Sequence, residues 1–92
     1  MHVLRIEHDV PDFDAWKNVF DSDPLGREKS GVSGHRVLRT SGDQDRVFID
    51  LEFTDVGDAD AFLAKLRELW KRVDVMENPS ARIVEVVEAT EY

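Results

Sequence analysis

The chain has no cysteine. A disulfide scaffold, a thiolate zinc site and a thiol nucleophile are therefore excluded. It is also short of positive charge: 12 lysines and arginines stand against 20 acids, a net charge of −8. Such a field repels phosphate backbones and anionic bilayer surfaces, so neither nucleic acid nor a membrane is expected as a partner. No apolar run approaches the roughly 20 residues needed to span a bilayer. His2, Arg5, Glu7, His8 and Asp9 break up the first ten residues, which leaves no apolar signal-peptide core. The cytoplasm is the expected location. The Gly-x-x-x-x-Gly-Lys-Ser/Thr phosphate loop and the His-Glu-x-x-His zinc motif are both missing. The histidines and acids are scattered, so no metal site is expected.

What remains is a 92-residue chain, 41% hydrophobic and 35% charged, expected to form one globular domain over residues 1–92. A domain of this size buries only about 60–65% of its unfolded surface and gains from an added interface. Its clearest signal is Arg46-Val47-Phe48-Ile49-Asp50-Leu51-Glu52-Phe53. Val47, Ile49, Leu51 and Phe53 alternate with Phe48, Asp50 and Glu52, the period of a strand with one apolar and one mixed face.

Around this strand the chain reads in order. His2–Val10 is a first strand, with Leu4 and Ile6 on one side and Val3, Arg5 and Glu7 on the other. Pro11 ends it, and Asp12 caps a helix over Phe13–Asp21. Phe13, Trp16 and Phe20 form a single helical stripe beside Val19. Pro24 after Asp23 marks a second short helix, Leu25–Lys29. Gly26-Arg27-Glu28-Lys29, with Gly31 and Gly34, is either a flap over a cleft or a plain connector. A strand over His35–Thr40 and a polar hairpin loop, 41–45, lead into the central strand. Asp55 caps a second helix, with Asp58 in a capping-box-like position. Its stripe is Phe62, Leu63, Leu66, Leu69, Trp70 and Val73, and Glu68 can pair with Arg72. Asn78-Pro79 signals a turn before a last strand, Ala81–Val87.

The order is βαββαβ, the split pattern of an α+β ferredoxin-like fold. It predicts a four-stranded antiparallel sheet with both helices on one face. The other face would carry Arg5, Glu7, Phe48, Asp50 and Glu52, too polar for a core and too apolar for an ordinary wet surface. A second copy could cover it.

With Asp12-Phe13-Asp14-Ala15-Trp16 opening the first helix and Phe62-Leu63 within the second, residues 1–88 resemble the dimeric α+β barrel superfamily. That group includes antibiotic-biosynthesis-monooxygenase-like proteins, small polyketide cyclases and many uncharacterised bacterial proteins. The resemblance implies a homodimer through the open sheet face and a ligand cleft between helices and sheet in each protomer. Haem-degrading members use a helix-borne histidine as iron ligand, whereas His2, His8 and His35 fall on strands here. Quinol- or polyphenol-oxidising members need no cofactor, and none is expected in this chain.

Three sets of residues are candidates for chemistry. Asp50 and Glu52 lie about 7 Å apart on one strand face. Burial together would raise one pKa and create a general acid or base; otherwise they pair with Arg5, Arg39 or Arg82. His8 and His35 near strand ends could accept a proton, or could be ordinary surface or hydrogen-bonded residues. Trp16, Phe20, Phe62 and Trp70 could wall an aromatic-ligand pocket or could fill a packed core. The expectation is a dimer binding a small apolar or aromatic molecule. The alternatives are a cofactor-independent monooxygenase or cyclase for an aromatic polyketide-like or quinol substrate, and a structural dimer with a filled core.

Overall fold

The computed structural model describes residues 1–42, 45–72 and 77–92. The elements follow as β1 (His2–Asp9), α1 (Phe13–Asp21), β2 (Val32–Arg39), β3 (Arg46–Phe53), α2 (Val56–Trp70) and β4 (Glu77–Glu85). They form a single antiparallel sheet of order β2-β3-β1-β4. Both central strands come from the stretches with the strictest alternation. On β3, Val47, Ile49, Leu51 and Phe53 are all buried. On β1, Leu4, Ile6 and His8 are buried on that same side, under the helices.

Each helix begins where an aspartate can satisfy a free amide. Asp12 accepts from the Ala15 amide at 3.2 Å, and Asp55 accepts from the Gly57 amide at 2.7 Å. Trp16 on α1 and Ala59, Phe62 and Leu66 on α2 are buried in the core. The rings of Phe13, Trp16 and Phe20 pack in series, with centroids 5.7 and 5.2 Å apart. Among the described residues, no helix is long and apolar enough to cross a membrane.

Four local expectations need correction. Residues 25–29 form turns, not a helix. Gly26 sits at φ +62 and Asp23 at φ +52, a backbone that cannot propagate helically, and the Arg27 amide is held by the Asp23 carboxylate at 2.9 Å. β2 starts at Val32, three residues earlier than expected, because Gly31 (φ +99) turns the chain straight into the ladder. β4 starts at Glu77 and takes in Asn78 and Pro79. β4 is an edge strand, where a proline without an N–H is tolerated, and a register shift opposite Glu7 and Asp9 absorbs Asn78 at φ +50. Glu68 pairs with Lys71 at 3.1 Å, not with Arg72. Val73, assigned to the second helical stripe, lies outside the described residues.

Candidate functional site

Alternation along the two central strands produces two concave surfaces, one on each side of the sheet. The first lies between helices and sheet. Its floor is Ile6, His8, Ile49 and Leu51, and its walls include Trp16, Phe20, Phe62, Leu66 and Trp70. Its solvent-accessible volume is about 70 Å³, and the unoccupied space reaches about 550 Å³ when the open mouth is counted. All four aromatic residues singled out from the sequence therefore meet at one cleft.

His8 lies at this cleft and is 1% exposed. Its ring centroid is 5.4 Å from that of Trp16, and its Nδ1 is 3.4 Å from the Asp9 carbonyl oxygen, a long contact. Burial pushes its pKa down, with the positive charge of Arg46 adding to the effect, while Asp9 opposes it. The imidazole is thus held neutral, the form that can accept a proton. His35 faces the same side of the sheet but is exposed outside the cleft, its ring edge-on to Phe20 at 5.2 Å. His2, at the start of β1, has a buried Nδ1 without a partner among the described residues.

The Trp70 indole N–H is also shielded from water and has no acceptor among the described residues. A buried donor left unpaired costs roughly 1–3 kcal/mol, so this N–H favours a ligand that offers it an acceptor. Sequence reasoning missed part of the mouth. Asp23, Pro24, Leu25 and Arg27 line it, and of these Arg27 alone comes from the segment read as flap or connector. Arg27 stacks over the Phe20 ring at 3.9 Å and donates to the Phe20 carbonyl at 2.8 Å. The arginine in that segment was the available signal, since a guanidinium stacks readily on an aromatic face.

The second concave surface lies on the face turned away from the helices. Asp50 is 4% exposed there. It accepts two hydrogen bonds from Arg5, both 2.9 Å, and one from Arg36 at 3.1 Å. The hydrogen bonds from Arg5 hold its carboxyl below the ordinary aspartate range, Arg36 adds to this, and burial opposes it. The shift runs opposite to that of a proton-donating carboxylate, so Asp50 is an ion-pair residue in this protomer. Arg5 is one of the partners anticipated from the sequence. Arg39 is not: it lies on the helix side, over the Phe13 ring at 4.5 Å. A second cluster joins Arg46 to Glu7 and Asp9 at 3.1 and 2.7 Å. Among the described residues, no group of three histidine or acidic side chains converges as a metal site.

No family model and no curated protein matches the sequence. Solved structures do match, over nearly the whole chain. A dimeric ferredoxin-like protein from an uncultured marine organism aligns with a TM-score of 0.70 at 14% identity, covering 97% of each chain. A protein of unknown function from Nitrosomonas europaea aligns at 0.72 and 17%, covering 99% of this chain and 93% of its own. MhuD, a haem degrader from Mycobacterium tuberculosis solved with two haems in its active site, aligns at 0.69 and 20%, covering 97% and 99%. This chain shares the ferredoxin-like fold of these structures. Within that fold the helix–sheet cleft and the open sheet face are separate surfaces, and each carries its own candidate residues.

Proposed function

We propose that the protein is a homodimer that binds a small apolar or aromatic molecule in the helix–sheet cleft of each protomer. The observation that carries this reading is the convergence of Trp16, Phe20, Phe62 and Trp70 on one cleft with apolar strand residues as its floor. Sites of this kind are mostly apolar with a few placed polar groups, and His8 and the Trp70 N–H are such groups here. The structural relatives support both halves of the proposal: one is named as dimeric, and MhuD holds two haems in its active site.

Haem itself does not fit the residues of this chain. Neither α1 nor α2 contains a histidine, cysteine, tyrosine or methionine, and the cleft's one histidine is a buried strand residue against Trp16. The ligand is therefore an organic ring system held by shape and stacking.

Two tryptophans line the cleft, so binding is read directly. Intrinsic fluorescence titrated with naphthalene, indole and anthrone is expected to quench saturably for at least one ring, with competition among them. No saturable quenching by any of the three up to their solubility limits would sink the ligand reading. Light scattering at micromolar concentration tests the dimer, and a monomer would rule it out.

A second reading is favoured by one observation, the neutral, buried His8. In a cofactor-independent oxygenase or cyclase it would take the proton from a phenol or activated carbon acid. Oxygen uptake with hydroquinone or anthrone that survives His8→Gln at the wild-type rate would remove this role.

A further inference from the structure

The open face of the sheet carries a charge pattern that one protomer leaves incomplete. The strand register sets Arg36, Asp50, Arg5 and Arg82 side by side, one per strand, as a row across the whole sheet. Asp50 is the only acid in that row, and its hydrogen bonds are already taken by Arg5 and Arg36. Arg82 makes no ion pair among the described residues, and its cross-strand neighbour on β1 is another arginine. Like charges directly opposite one another are unfavourable. Three arginines against one aspartate leave a surplus of two positive charges in a chain whose net charge is −8.

One unpaired negative charge lies two residues along β3. Glu52 points to this same face and makes no ion pair among the described residues. It lies beside Gly34 of the edge strand β2: its Oε2 is 3.3 Å from where a Cβ on that glycine would be. With no side chain at position 34, the flank of the carboxylate is open at the sheet edge.

We propose that this face docks a second copy of the chain through a reciprocal ion pair, Arg82 of each protomer meeting Glu52 of the partner subunit. The inference rests on the homodimer reading above and names its polar contact. A two-fold interface repeats every contact, so one complementary pair neutralises two surplus arginines and two unpaired glutamates. The face itself carries no net charge to repel a second copy. Among the described side chains of the face, Arg5, Arg36, Arg46 and Arg82 balance Glu7, Asp9, Asp50 and Glu52, four against four. Leu38, 39% exposed, and the half-buried Phe48 supply apolar contact around a hollow of about 320 Å³ that also includes Arg82.

Charge reversal tests the pair. Sedimentation velocity would give the dimer dissociation constant for wild type, Arg82→Glu, Glu52→Arg and the double swap, with circular dichroism confirming that each protomer folds. Each single reversal is expected to weaken the dimer tenfold or more, and the double swap to recover most of that loss. Singles within twofold of wild type, or a double swap as weak as the singles, would overturn the pairing while leaving the dimer standing. A monomeric wild type would overturn both. A dimer that forms in sulfate but not in fluoride at equal ionic strength, indifferent to Glu52→Arg, would assign the surplus charge to a small anion and overturn the pairing as well.

Discussion

Replacing Asp50 by asparagine isolates the electrostatics at the centre of the sheet. The side chain keeps its shape but loses the charge that two guanidiniums share. Removing one partner of a fully buried ion pair costs about 3–5 kcal/mol. Here the carboxylate is 5% exposed at the side chain, but Arg5 and Arg36 are 47% and 66% exposed. The arginines therefore rehydrate in part, and the loss falls to about 2 kcal/mol. For a domain of this size that lowers Tm by roughly 8–16 °C. Urea denaturation at pH 7 measures it, repeated at several protein concentrations so that a contribution from dimer dissociation shows as a concentration dependence. The pH dependence provides a second check. Asp50 has a depressed pKa in the folded state, so its stabilisation is fully present above the unfolded aspartate value of about 3.9. It is lost as pH falls through the lower folded value. The gap between wild type and Asp50→Asn must narrow as the wild type is acidified below pH 4. A gap under about 0.5 kcal/mol at pH 7, or one that stays constant into acid, would refute the assignment of Asp50 as the anchor of the arginine row.

Further outcomes follow from the same geometry. His8 has a folded pKa below its unfolded value of about 6.5, so wild type is expected to lose stability as pH falls from 6.5 towards that lower value, and His8→Phe to flatten this slope; equal slopes between pH 7 and 5 would contradict it. Gly31→Ala should cost about 2 kcal/mol, because the residue sits at φ +99 and a Cβ there would be 2.6 Å from Asp58 Oδ2. Adding Asp58→Ala should restore only the part due to the clash, and a neutral Gly31→Ala in urea denaturation would refute the strain argument. Glu68→Ala removes the surface pair with Lys71 and should change stability by less than about 0.5 kcal/mol, with a larger loss in thermal melts counting against the exposed reading.

Both helices and the central strand were legible from periodicity and caps, because Asp12 and Asp55 stand just before apolar stripes of helical spacing. The errors fall where tertiary context overrides a local signal. Asn78-Pro79 reads as a turn, yet β4 lies at the sheet edge, where the missing proline N–H is tolerated. Leu25–Lys29 reads as a helix start until Gly26 adopts a left-handed backbone. Arg36 was not anticipated as a partner of Asp50, because that pairing depends on register, and register requires knowing which strands are neighbours. The aromatic walls of the cleft could be named from sequence, but not their meeting with His8. That histidine is the penultimate residue of β1, and it is buried because Trp16 packs against it.

The two surfaces are not independent, because single strands build both. Along β1, Ile6 and His8 line the cleft, while Arg5, Glu7 and Asp9 belong to the open face. Arg46 clamps Glu7 and Asp9, the two residues flanking His8, from the neighbouring strand. The backbone that presents the imidazole is thus held by ion pairs on the opposite side of the sheet. A one-residue slip of β1 against β3 would exchange the two faces, placing arginine in the cleft and isoleucine on the open face. The ion pairs Arg5–Asp50 and Arg46–Asp9 join residues directly opposite in the observed register, and either would be broken by that slip. Their role therefore extends past local stability: they select the one strand alignment in which a neutral histidine faces the aromatic cleft.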